Sequence, residues 1–190
     1  MNRLFAGVVF AVLLSGCSSV FVTEPVGETV EPLQIEQWQG SWTSGEFVLM
    51  TTVLEAETGL LEAAWLERGD AGARMERYEG QVRRTGDWLF INMTEPNQSA
   101  PAPDGEEAEV TVPEYLWARL SNDGRTVLMW WPSPEAFRTA VRDDRVPGVI
   151  KDDDDVRLEP LTPEQLAWIN DPGSGLLSWQ EPMVFVRIGD

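Results

Sequence analysis

The chain reads as a mainly β protein: an antiparallel meander that closes into a barrel or bends into a strongly curved sheet, with two short covering helices near the C-terminus. Three observations carry this. Short runs rich in β-branched and aromatic residues recur at close spacing between residues 46 and 131. Gly- and Asp-containing turns join them, which makes hairpins between sequence neighbours rather than the helical crossovers of a parallel sheet. Helix start and stop signals occur in two stretches, both beyond residue 132.

At the N-terminus, Arg3 precedes an apolar or small run over 5–14. As a helix that run spans roughly 15 Å, about half a hydrocarbon core, so it is too short to cross a membrane. A basic start, a short apolar stretch and small residues before a cut site are the parts of a secretory signal peptide. The ending Leu14-Ser15-Gly16-Cys17 resembles the lipobox of bacterial lipoproteins. That resemblance implies cleavage after Gly16, diacylglycerol on the Cys17 thiol and acylation of the new amine. At ~0.8 kcal/mol per buried methylene, such chains hold a protein on a bilayer without spanning it. Ser18 stands where an Asp would resemble an inner-membrane retention signal, which implies an outer-membrane anchor facing the periplasm. Residues 1–16 are thus expected to be removed. Residues 17–37, with Pro25, Gly27, Pro32 and four glutamates but no sustained period, read as a flexible tether.

The expected domain covers residues 38–190. Strand-like runs lie at 46–54, 60–67, 73–84, 88–94, 114–120 and 125–131, and 182–188 closes the chain. The acidic, Pro-rich stretch 95–113 reads as a solvated insertion. Ser133-Pro134-Glu135 opens a first helix, with Phe137, Ala140 and Val141 on one face and Pro147-Gly148 as its stop. Thr162-Pro163-Glu164-Gln165 is a capping box for a second, ended by Asp171-Pro172-Gly173. Strands such as 88–91 and 127–131 are apolar on both faces, so the second face needs a cover, and the helices are expected to supply it.

Gly40-Ser41-Trp42 at the entry to the first strand and Arg187 near the end of the last resemble the calycin and lipocalin arrangement. The resemblance implies that the Trp42 indole closes the base of a barrel and that Arg187 packs across its ring as a cation–π partner. The family's Thr-Asp-Tyr-type middle motif is not visible, and two helices stand before the last strand where the family has one after the eighth. Residues 115–148 with the final strand also resemble small bacterial envelope proteins. A closed barrel and an open, helix-covered sheet both remain compatible with these residues.

Composition excludes much chemistry. The chain has no histidine and one cysteine, so no Ser-His-Asp or Cys-His pair and no His-ligated metal is available. With Cys17 committed to lipid there is no thiolate ligand or disulfide. Lys151, the single lysine, sits beside Asp152, Asp153, Asp154 and Asp155, a poor setting for a lowered amine pKa. Those four consecutive carboxylates lack the ligand spacing of a calcium loop, so no metal and no cofactor is expected. A formal charge of -18 opposes binding to nucleic acid and suits a cationic partner.

Nine tryptophans are many for this length. Most are expected in packing, because buried aromatic rings dominate core energetics. Trp117, Trp130 and Trp131 are the binding candidates. Trp130 and Trp131 are adjacent and must point to opposite faces of a strand, so one of them lies under a helix or in a pocket. The expected role is therefore non-catalytic. Either a membrane-anchored domain binds a small amphipathic or apolar ligand, or an acidic module meets a cationic envelope protein such as a lytic enzyme.

Overall fold

The computed structural model describes residues 18–45, 47–69, 72–94 and 113–189. The signal segment, Cys17 and residues 95–112 of the Pro-rich loop lie outside the described residues. In chain order the elements are β1 (Val20–Val22), β2 (Thr29–Val30), α1 (Ile35–Trp38), β3 (Gly40–Thr43), β4 (Phe47–Glu55), β5 (Leu60–Gly69) and β6 (Gly72–Thr85). There follow β7 (Trp88–Thr94), β8 (Tyr115–Asn122), β9 (Thr126–Trp130), α2 (Pro134–Arg142), β10 (Gly148–Ile150), β11 (Val156–Leu158), α3 (Pro163–Ile169) and β12 (Met183–Arg187).

Strands β3 to β9 pair in sequence order, and β12 returns between β9 and β3, antiparallel to both. The result is a closed eight-stranded antiparallel barrel, compatible with a calycin-like fold. Closure removes the free sheet edges that an open sheet would leave. The open-sheet alternative is discarded by the Arg187–Trp42 and Val186–Thr126 pairings, which join the last strand to the first and to the one before it. β8 outruns β9 at its start, and there Tyr115 and Leu116 pair with β1, which in turn pairs with β11 and so with β10. This small extension peels off the barrel wall.

The strands carry two cores because they are apolar on both faces. Inward residues such as Leu49, Leu61, Ile91, Met129 and Phe185 form the barrel interior. Outward residues, among them Phe90 and Trp117, pack under α2, α3 and the extension against Phe137, Leu166, Ile169 and Val156. The two expected helices thus cover the outer wall. Each begins as its sequence indicates: the Ser133 side chain accepts from the Ala136 N–H, and Thr162 forms the full capping box with Gln165.

Residues 18–37 are not a loose tether. Val20 and Val22 are buried, β1 pairs with β8 and β11, and Val26 and Leu33 are also buried. The Asn92 side chain accepts from the Val26 N–H at 2.6 Å and donates to its carbonyl at 3.0 Å, clamping the segment to the outer wall. Farther on, β2 pairs with β6 and Glu31 makes a two-pronged ion pair with Arg84 at 2.6 and 2.8 Å. The apolar residues here are few and widely spaced, so their burial depends on partners remote in sequence, 66 residues away for Val26 and more than 100 for Val20 and Val22 on β11.

Candidate functional site: the barrel interior

Alternation along each strand fixes what faces inward. On β5 these are Leu61, Ala63 and Trp65, on β6 Glu76 and Tyr78, and on β9 Val127 and Met129, with Trp131 following in the same parity. At one end α1 supplies Trp38 and β3 supplies Trp42, which is 1% exposed. Between them the side chains leave a cavity of about 180 Å³, lined by Trp38, Trp42, Trp65, Trp131, Tyr78 and aliphatic neighbours. An interior of eight strands is wide enough to be filled by side chains or to hold one small ligand. This one is incompletely filled: among its lining residues the small Ala63 stands where a larger side chain would take up the space.

The closed end is built around Arg187. Its Cζ lies 4.9 Å from the Trp42 ring centroid, and Arg187 and Trp42 are direct register partners. The guanidinium donates to the carbonyls of Glu36 at 2.8 Å and Gly124 at 2.6 Å, and to that of Gln39. It therefore joins α1, the β8–β9 turn and the indole in one cap. Gly40 makes room, since a Cβ there would stand 2.7 Å from Arg187 Nη2. Asn122 and Gln37 exchange side-chain to backbone hydrogen bonds beside it, which ties α1 to the end of β8.

The opposite end is aromatic and partly polar. Trp65 meets Phe185 edge-on at 5.1 Å, Phe47 at 5.7 Å and Trp131 at 6.3 Å. Tyr78 donates its hydroxyl to Glu76 at 2.8 Å, and Glu76 also meets Arg74 at 2.5 Å. Because the Glu76 side chain is 37% exposed, the cavity reaches solvent here. Among the described residues, Glu76 is the one acid that lines the cavity. Two further groups stand out. The indole N–H groups of Trp42 and Trp131, both on lining residues, are buried with no acceptor.

The three sequence-nominated tryptophans separate. Trp131 lines the cavity, with its backbone N–H held by Ser178 Oγ at 3.0 Å. Trp117 does not: it is fully buried in the outer core, between Phe90 and Phe137. Trp117 thus lies against Phe137 of α2, while of the adjacent pair it is Trp131 that occupies a pocket. Trp130 points outward and packs on Trp179 with centroids 5.5 Å apart. Trp38, Trp65, Tyr78 and Glu76 were missed. The same-parity residues of 61–65 and 76–78 are the signal that places three of them together, once the strand's inward face is known.

The nine tryptophans divide cleanly between the two cores: four line the cavity and the other five belong to the outer core. Compared with family models, with curated proteins and with solved structures, the chain matches none.

Proposed function

We propose that this is a non-catalytic binding protein whose barrel holds one small apolar or amphipathic molecule, on a domain anchored to the outer membrane through acylated Cys17. The observation that carries the reading is the unfilled, aromatic-lined cavity of about 180 Å³. An engineered apolar cavity of ~150 Å³ stays dry and takes up benzene, so the volume suits a single ring or a short acyl segment. A polar end of the ligand would reach Glu76 and Tyr78, where the cavity meets solvent. The unpartnered N–H groups of Trp42 and Trp131 favour a ligand with a hydrogen-bond acceptor among its atoms. A glycosidase-type mechanism needs two carboxylates about 5–10 Å apart, and among the described residues Glu76 has no second acid beside it in the lining.

In this reading the anchor has no slack. Ser18 follows Cys17 directly, accepts from Arg138 at 3.1 Å, and the next backbone N–H, of Ser19, donates to Asp155 at 2.6 Å. The acylated residue therefore holds the barrel close to the bilayer.

Toluene and 1-hexanol are suitable probes. Each should raise the Tm of the full-length protein by about 5 °C near saturation and shift its tryptophan emission. Ala63→Phe fills the cavity and should abolish both responses in a folded protein. Equal responses in wild type and the filled variant would exclude the interior as the site. A second reading, a protein-interaction module, is favoured by the exposed apolar stripe of Val184 and Val186 on the outer face of β12, continued by exposed Ile188 just beyond it. That reading predicts envelope-protein capture that Val186→Glu removes and Ala63→Phe does not.

A further inference from the structure

On the outer wall of the barrel, away from the cavity, Arg119 carries a charge that no acid answers among the described residues. It extends from β8 between the inward-facing Ala118 and Leu120. Its Cζ lies 4.9 Å from the ring centroid of Trp130 and 4.4 Å from that of Trp179. The guanidinium Nε is buried without an acceptor, and so is the indole N–H of Trp179. Among the described residues no carboxylate forms an ion pair with Arg119, and none of its N–H groups meets a protein acceptor.

The chain has 32 acidic residues against 14 basic ones, so a guanidinium without an acid is the unexpected arrangement here. Arg84 shows the usual one, with two bonds to Glu31. Two aromatic faces compensate part of the lost hydration of a cation, but they accept little from N–H groups in the guanidinium plane. Burial also lowers the Arg119 pKa below its ordinary value, as expected of a cation lacking a counter-charge.

We propose that Arg119, Trp130 and Trp179 form a binding site for a small oxyanion, a carboxylate or a phosphate group. Its oxygens take the fork of Arg119 N–H groups and the Trp179 indole N–H, while the two rings wall the charge from water. A planar guanidinium matches two oxygens of either group, and such charge-assisted bonds are roughly twice as strong as neutral ones. The formal charge of -18 opposes the approach of any anion, so affinity is weak and selects small anions over anionic surfaces. The site shares no residue with the barrel cavity, so its failure and the failure of the ligand reading are separate results.

The test is a titration of full-length protein with sodium phosphate and, separately, sodium acetate, at an ionic strength held constant with chloride. Tryptophan fluorescence and Tm are read together. Saturable changes are expected in wild type, and Arg119→Gln should weaken binding by about tenfold or more. Trp179→Phe keeps an aromatic ring, removes the donor and should weaken it about threefold to tenfold. A response to only one of the two salts assigns the site to that oxyanion. No saturable response to either, or responses unchanged in Arg119→Gln, overturns the proposal. Should Arg119→Gln fail to fold, unchanged affinity in Trp179→Phe overturns it alone.

Discussion

Individual residues do different work here depending on which face of a strand they occupy, and tryptophan shows it best. Trp117 is fully buried between two phenylalanines, so Trp117→Ala should cost roughly 3–5 kcal/mol and leave probe binding per folded molecule unchanged. Trp131→Ala instead removes part of the cavity wall, and its main effect should be a lost emission shift on adding toluene. Chemical denaturation alongside the titration separates the two. The sequence nominated both residues among its binding candidates, but parity alone does not say which set of strand residues faces in. The Trp42–Arg187 contact was legible for the opposite reason: both residues stand at strand ends, in spacing that resembles a known closure. Arg187→Ala should lower stability by about 2 kcal/mol, since it removes the cation–π contact and three hydrogen bonds to carbonyls that partly regain water.

Elements were legible where their signals are local. Turn residues fixed the meander from β4 to β9, and the caps at Ser133 and Thr162 fixed the two covering helices. The segment over residues 18–37 was misread because its contacts are remote: β1 pairs with β11, and Asn92 holds Val26. Limited proteolysis of the full-length protein should therefore leave 18–37 uncut, whereas a flexible tether would be cleaved first. Asn92→Ala should cost about 2–3 kcal/mol by leaving the Val26 N–H and carbonyl buried and unpaired, and should make this segment susceptible. A second strap is pH-dependent. The Arg84 guanidinium, hydrogen-bonded to Glu31, holds that carboxyl below its ordinary value of 4.5. A depressed carboxylate pKa stabilises the fold above 4.5 and loses that contribution as pH falls through the lower folded value. With the pair about one-third exposed, the loss is about 1 kcal/mol, and Glu31→Gln should remove this part of the acid dependence.

At the scale of the whole molecule, closure and charge act against each other. Barrel closure was legible only as one of two outcomes, because it depends on β12 finding β3 across more than 140 residues, and no local signal encodes that pairing. A pocket beside Trp130 or Trp131 was expected, but its place in the barrel interior was not legible, since its lining comes from residues on many strands that only closure brings together. Charge, by contrast, is read directly from the sequence, and it predicts how the fold responds to salt. At 10 mM ionic strength the Debye length is about 30 Å, so most of the -18 surplus repels itself across the molecule. At 150 mM it falls to about 8 Å, which leaves close pairs such as Glu31–Arg84 mostly intact and removes most of the long-range repulsion. The described residues hold few ion pairs against a large excess of acids, so relief of repulsion outweighs the weakening of attraction. Raising sodium chloride from 10 to 150 mM should therefore increase stability by about 1 kcal/mol, seen as a Tm higher by roughly 2–4 °C. A Tm that falls over the same range would mean that specific pairs, rather than the overall surplus, govern the electrostatics of this barrel.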